Sequence, residues 1–404
     1  VTDRDIIIAG AGPVGLTAAL AVRSFGRPVT VIEEGSADRV RPGSRAIFIH
    51  RASLNILERI RPGLGRDLEE HGILWRTKRT LYRGREVFRR TYSATPGSEL
   101  RPATSLPQVT TEKLLLRACL DAGIEFIWST PVVGVRAGAD HVTVETANDS
   151  SLTAKYVIGA DGARSVVRET AGMQLEGPQT TNAFVIVDTA EDPDNPLPVE
   201  RVFHYEHPGV DGRNVLYVPF AGHWRIDLQC HPDDDPDSMS GEEGARQWLP
   251  KVMPAAYGDR ITWVSTYIFR QAVANSFTDE HRRVLLAGEA AHVFAPFGAR
   301  GLNSGIPDAY LAAKSIDQAL KAESPSDATG VIDRFAQARR RAALRNRDAS
   351  SVALAHLTAP SLSRRIKRRL AAALAPLFPR AGRWLDKAPY GPRLGPADAE
   401  GLQY

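Results

Sequence analysis

The chain has 404 residues, 43% hydrophobic and 24% charged, an ordinary balance for a globular protein long enough for two or three packed units around a large core. Its formal charge of +4 comes from arginines spread along the chain, which speaks against nucleic acid and suits an anionic cofactor or substrate. No apolar run approaches a membrane span, and Cys119 and Cys230 form no CxxC pair, so a cytoplasmic protein with reduced thiols and no metal is expected.

Residues 5–34 read as strand, glycine turn, helix and strand: a buried Asp-Ile-Ile-Ile-Ala, an apolar Leu16–Phe25, then Val-Thr-Val-Ile ending in acid. This is the opening of a βαβ unit. Residues 46–70 are expected to be helical, 73–95 to form strands turning at Arg83-Gly84, and Thr111–Ala122 to form an amphipathic helix. Strands follow over 124–160 and 180–230, then a polar loop at Asp233–Ser240, a short buried strand at Arg283–Ala287 and a helix from about Asn303 to Leu320. From Ala328 the chain reads as helical and Arg-rich, ending in a Pro/Gly-rich tail. The α/β segments flank a β-rich middle. The expected organisation is a nucleotide-binding domain over 1–175 and 276–345, an inserted substrate-binding sheet domain over 176–275, and a C-terminal helical segment and tail over 346–404.

Three motifs carry chemistry. In Gly10-Ala11-Gly12-Pro13-Val14-Gly15, Gly10 permits a tight turn, Gly12 lets backbone approach a pyrophosphate, and Gly15 allows close helix–strand packing. Glu33, at the tip of the next strand, suits a ribose diol. In Gly288-Glu289-Ala290-Ala291-His292, running on through Pro296-Phe297-Gly298-Ala299-Arg300-Gly301-Leu302-Asn303, a buried strand ends in an acid. A glycine-bearing loop then enters a long helix, whose positive end suits an anion. The third motif, Ile158-Gly159-Ala160-Asp161-Gly162-Ala163-Arg164-Ser165, is a strand ending in an Asp-Gly turn, with Arg164 and Arg168 available for phosphates.

Taken together, these motifs resemble the para-hydroxybenzoate hydroxylase-type (class A) FAD-dependent aromatic monooxygenases. His292–Asp308, Trp263–Tyr267 and Trp224–Asp227 look like the 3-(3-hydroxyphenyl)propionate hydroxylase branch. The resemblance implies an α/β fold with a Rossmann-like FAD-binding domain of the glutathione-reductase type. It implies FAD as cofactor, NAD(P)H as co-substrate, and hydroxylation of a small phenolic substrate by dioxygen through a flavin C4a-hydroperoxide. Gly10, Gly12, Gly15 and Glu33 would hold the ADP half of FAD, with Arg45 at the pyrophosphate and flavin side and Gln108 at the flavin chain. Asp161 would hold a dinucleotide or the motif's own geometry. Gly288 would belong to the cofactor site, Glu289 would meet the ribityl hydroxyls, and Pro296, Gly298, Gly301, Leu302 and Asn303 would line the flavin ring. Glu289 departs from the family's usual Asp, so that contact shifts or passes through water. Baeyer–Villiger or epoxidising chemistry on a polyketide-like substrate, and a non-catalytic flavin-containing binding protein, are the alternatives. A homodimer is a further expectation.

For the substrate, Arg225, Asp227 and Gln229 share one strand face under period-two alternation. Arg225 is the expected clamp for a substrate carboxylate, and Tyr217, with His204, Tyr205 and Tyr267 as further candidates, the expected partner for a phenol proton. Arg225, Tyr217 and Pro296 are thus the catalytic candidates. Arg339–Arg341 and Arg364–Arg369 invite a membrane-surface or nucleic-acid reading, but a solvated basic face on a packed C-terminal helix is the expectation, and Arg39 and Arg41 are read as either loop arginines or a site for the extra phosphate of NADPH.

Overall fold

The computed structural model describes residues 2–93 and 99–392; most of the expected Pro/Gly-rich tail lies outside them. Two seven-stranded sheets organise the chain. In the first, strands Glu125–Ile127, Thr30–Ile32, Thr2–Ala9, Ser151–Gly159 and Val284–Leu286 run parallel in that order. The long strand Ser151–Gly159 forks: its second half pairs with Val284–Leu286, while its first half pairs with the antiparallel hairpin Val132–Ala137 and Val142–Thr146. Ile6, Ile7, Ile8, Val157, Ile158 and Leu285 are fully buried in this sheet, as continuous apolar runs in a doubly covered parallel sheet should be. Helix Pro13–Ser24 buries Gly15–Val22 against it and packs closely on helix Arg300–Leu320: a Cβ on Gly305 would fall 2.5 Å from Val14 Cγ2.

The second sheet runs Ile261–Arg270, Gln179–Ala190, His223–Gln229, Arg213–Phe220, Glu200–His207, Thr77–Tyr82 and Arg85–Thr91. Its last two strands come from far upstream, joined by the parallel pairing of Val202 with Arg79. The sheet is therefore not drawn from 176–275 alone, as local patterning had suggested, because pairing at that separation leaves no local signal. The register places Asp188 opposite Arg225 and Ile186 opposite Asp227, and Leu216 opposite Asp227. Phe184, Ile186, Asp188, Arg225 and Asp227 thus share one face, and Tyr217 lies on the other with its partner Ile226.

Three helices, Pro325–Thr358, Leu362–Leu374 and Pro379–Lys387, complete the described chain. The last is tied to the second sheet by a buried ion pair, Lys78 Nζ to Asp386 Oδ2 at 2.5 Å. Three local expectations shift. Strand Phe48–His50 precedes helix Arg51–Ile60 where continuous helix was expected. A short helix, Pro236–Ser240, capped by Asp235, stands within the expected polar loop. The long helix starts at Arg300, ahead of the expected Asn303, so Pro307 is its eighth residue, and one interior backbone hydrogen bond is absent.

Candidate active site

The first site element is the turn between Thr2–Ala9 and Pro13–Ser24. Gly10 has φ +97°, and a Cβ on it would stand 2.6 Å from the Ala160 carbonyl oxygen; on Gly15 a Cβ would stand 1.9 Å from the Gly10 carbonyl oxygen. Both positions exclude a side chain. A Cβ on Gly12 would meet only the Arg41 guanidinium, at 3.3 Å, and the helix it opens has no side-chain cap. The turn therefore presents a concave, donor-rich helix end. Beside it the Glu33 carboxylate, almost fully buried, accepts from Ala11 N–H at 2.6 Å, Gly35 N–H at 3.1 Å and Arg41 Nη2 at 3.1 Å. Arg39 Nη2 donates to the Ala11 carbonyl at 2.6 Å, and its guanidinium lies 5.0 Å from the Trp128 ring centroid. Arg39 and Arg41 are thus built into the glycine turn and are not free loop arginines.

The second element is Gly288–His292. Gly288 has φ +64°, and a Cβ there would press on Val14 at 2.9 Å. Its N–H donates to Asp308 Oδ2 at 3.2 Å. Glu289 is exposed as a residue; desolvation nonetheless raises the pKa of its carboxyl, while His292 and Arg45, which stand near it, pull it down. Tyr267 is also partly exposed; desolvation and then Glu289 raise its pKa, and Arg225 and Arg45 oppose them. Glu289, Tyr267 and Arg45 thus share one solvent-reached region, called the cleft below, where each acts on the others' charge.

The Arg45 segment crosses between the two sheets and is gripped from both sides. Arg45 itself has φ +47°. Ser44 donates through its N–H and its hydroxyl to the two oxygens of Asp188, at 2.6 and 2.8 Å. The Gln108 N–H donates to the Ser44 carbonyl at 3.0 Å, its side-chain oxygen accepts from Ala46 N–H at 3.4 Å, and its side-chain amide donates to Glu112. Arg225, buried, donates to Asp227 at 2.6 Å and to the Arg45 carbonyl. The expected substrate clamp is therefore already occupied: its guanidinium holds the loop that carries Arg45.

The third element is the entry to helix Arg300–Leu320. Gly298 has φ +81° and Ala299 φ +54°. A Cβ on Gly301 would meet nothing within 4 Å, so open space lies against the helix N-terminus. Leu302 is buried. The Asn303 side-chain amide is fully engaged: its oxygen accepts from His50 N–H and the Ser53 hydroxyl, both at 2.8 Å, and its NH₂ donates to the Phe48 and Ala299 carbonyls, both at 2.7 Å. It locks the helix entry to Phe48–His50, and its backbone is what stands at the helix end. Next to half-buried Pro296, Phe297 meets Phe184 and Phe269 with ring centroids 5.4 and 5.3 Å apart. The sequence offered Phe269 for the substrate side but not its clustering with Phe184 and Phe297 on the cleft-facing side of the second sheet; the period-two alternation of Phe184, Ile186 and Asp188 was the available signal.

Other expected residues stand elsewhere. Tyr217 faces away from the cleft, donating to the Val252 carbonyl at 3.1 Å inside an apolar cluster with Trp248 and Tyr257; burial pushes its pKa up. A groove of about 800 Å³ opens on that side, but Asp211, Asp233, Asp234, Asp235 and Asp237 line it, and they repel an anion. His204 accepts from Gly84 N–H at 2.8 Å, and burial, then His207, lowers its pKa to about 3. The Tyr205 hydroxyl donates to the Leu385 carbonyl at 2.8 Å. Asp161 accepts from the Ser165 hydroxyl at 2.5 Å and Val167 N–H at 3.0 Å, so it caps its own motif's helix. Arg339, expected on a solvated face, is buried and donates to Asp308 at 2.6 Å.

A concave glycine turn beside an acid, followed by a second acid and an open helix N-terminus, is the geometry of a long dinucleotide site. A family model described as FAD binding domain matches residues 3–350. The chain belongs to that family. The residues present fit FAD, given a turn at Gly12 where a Cβ would meet only the movable Arg41 guanidinium, the space against Gly301 and the exposed carboxyl of Glu289.

Among curated proteins, this FAD-binding chain is 29% identical over 351 residues to a 6-methylpretetramide 4-monooxygenase of Streptomyces rimosus, covering 83% of this chain and 59% of that one. It is 28% identical over 332 residues to a 3-(3-hydroxy-phenyl)propionate/3-hydroxycinnamic acid hydroxylase of Mycobacterium avium, covering 76% and 53%. It thus spans little more than half the length of these relatives. A crystal structure of the p-nitrophenol 4-monooxygenase PnpA from Pseudomonas putida superposes with a TM-score of 0.78 at 23% identity, covering 98% of this chain and all of that one. At that identity the likeness speaks for the fold.

Proposed function

We propose that the protein is a single-component flavoprotein monooxygenase that hydroxylates a phenol-like aromatic substrate with NAD(P)H and dioxygen. The observation that carries this reading is the grouping of Glu289, Tyr267 and Arg45 beside the Phe184–Phe269–Phe297 cluster, with Tyr267 paired to Phe184 on one sheet face. FAD, when bound, supplies the redox chemistry; the chain binds, orients and excludes water. Gly10, Gly12, Gly15 and Glu33 hold the ADP half, Glu289 the ribityl chain, and the backbone at Gly301, Leu302 and Asn303 the polar edge of the ring. Pro296 and Phe297 form the wall between ring and substrate. Tyr267 orients the phenol hydroxyl by a hydrogen bond, and Arg225 keeps Arg45 in place. In this reading the first sheet is a Rossmann-like, glutathione-reductase-type FAD domain. The substrate domain is the second sheet, with 77–91 added to 176–275. The enzyme works in the cytoplasm, and a homodimer is its expected state.

The engagement of Arg225 by Asp227 and the Arg45 carbonyl favours an uncharged phenol, including a fused polyketide-type ring system, over a carboxylated one. The deciding experiment is NAD(P)H oxidation by the yellow protein in air, with and without simple, carboxylated and polycyclic phenols, and with products followed by mass. Stimulated oxidation with one oxygen gained on a ring is expected. Oxygen inserted beside a ketone would point to Baeyer–Villiger chemistry, and bound FAD without stimulation by any compound would sink the hydroxylase reading.

A further inference from the structure

Helix Leu362–Leu374 and the corner after it present an apolar ridge to solvent. Leu362, Ile366, Leu370 and Leu374 recur every four residues, so they fall on one face, and all four are exposed. Leu377 and Phe378 extend the ridge at the corner and are 75% and 58% exposed. The opposite face is the one that packs: Arg368 is buried, donating to Glu206 at 3.0 Å and to the Leu357 carbonyl at 3.0 Å, and Ala372 is buried beside it. At about 100° per residue, Arg365 and Arg369 flank one side of the ridge and Lys367 the other. Lys367 Nζ lies 5.0 Å from the Trp384 ring centroid.

From Val352 to Leu385 the chain has no acidic residue, while it carries the Arg364–Arg369 run, Arg380 and Arg383. Two copies of this chain meeting through the ridge would bring like charges together with no acid on the segment to compensate, so the ridge is poorly suited to itself. An apolar stripe bordered by cations matches a surface with an apolar interior and an anionic rim.

We infer that the Leu362–Phe378 ridge docks the enzyme on an anionic lipid bilayer. The leucines and Phe378 enter the headgroup–acyl boundary, and Arg365, Lys367 and Arg369 lie at the level of the lipid phosphates. The docked helix lies in the plane of the bilayer; no helix among the described residues is long and apolar enough to cross one.

The test is co-sedimentation of the FAD-loaded full chain with phosphatidylcholine vesicles and with mixed phosphatidylglycerol–phosphatidylcholine vesicles. The wild-type protein sediments with the mixed vesicles and not with the neutral ones, and salt weakens binding. The triple variant Leu370→Ser/Leu377→Ser/Phe378→Ser, whose three sites are exposed, keeps its flavin absorbance and binds the mixed vesicles at least about tenfold more weakly. Equal retention on both vesicle types, or undiminished binding by the triple variant, overturns the inference. So does a wild-type dimer in sedimentation velocity that the variant dissociates, which assigns the ridge to a second copy.

Discussion

His292 Nε2 and Asp308 Oδ2 stand 2.6 Å apart in the core of the protein. The Gly288 N–H donates to that same Oδ2 at 3.2 Å, and the other oxygen of the carboxylate, Oδ1, accepts from Arg339 Nε at 2.6 Å. One carboxylate on the helix after the cleft thus fixes the turn that carries Glu289, and the long helix Pro325–Thr358 supplies its counter-charge.

Burial alone would raise the Asp308 pKa, but Arg339 and then His292 overcome it and hold the carboxyl below its ordinary value. An acid depressed in the native state stabilises it at neutral pH, and that contribution is lost as pH falls below the unfolded value of about 3.9 and through the native one. Removing one partner leaves a buried charge uncompensated. Arg339→Met is expected to lower unfolding free energy by about 3–5 kcal/mol, read by urea denaturation. An unchanged midpoint would refute the network's role.

Arg225 is expected to act through the Arg45 loop and not on the substrate. Arg225→Lys keeps the charge but loses the planar fork that reaches both Asp227 and the Arg45 carbonyl. The expected result is weaker FAD binding and lower kcat for charged and uncharged phenols alike, by fluorescence titration and initial rates. A KM defect confined to carboxylated phenols would restore the clamp reading.

The two tyrosines are expected to separate cleanly. Tyr217→Phe removes one neutral hydrogen bond, to the Val252 carbonyl, and costs about 1 kcal/mol of stability with kcat near wild type. Tyr267→Phe, in the cleft, lowers kcat or raises KM for phenols while leaving thermal stability nearly unchanged. Equal kinetic effects of both substitutions would remove Tyr267 from the substrate site.

Desolvation raises the native pKa of the Glu289 carboxyl, so its ionised form burdens the FAD-free protein, though only slightly because the residue is exposed and solvent screens it. The penalty is absent below the unfolded pKa and grows as pH rises through the native one. Glu289→Gln should therefore raise the melting temperature of the apoprotein at pH 7, by a margin that closes in acid, while weakening FAD binding. A lower apoprotein melting temperature at pH 7 would contradict this.

Much of the glycine-turn geometry proposed to hold the cofactor was legible from local order. The Gly10–Gly15 turn, Glu33, the Gly288–Glu289 turn and the helix entry near Gly301 are short segments whose chemistry depends on glycine geometry and on strand-to-helix boundaries, which neighbouring residues dictate. The substrate half was not, because alternation along a strand says which residues share a face but not which face meets the cofactor. Tyr217 and Arg225 are both strand residues with plausible chemistry, yet register turns the first into an apolar cluster and the second onto the Arg45 carbonyl. Arg339 reads as one of three surface arginines until helix packing sets it against Asp308, 31 positions earlier. By itself the sequence determined the cofactor class and the α/β order. Tertiary structure alone decided which polar groups are spent on one another and which remain to face the cleft, because burial and pairing are properties of contacts between segments far apart in the chain.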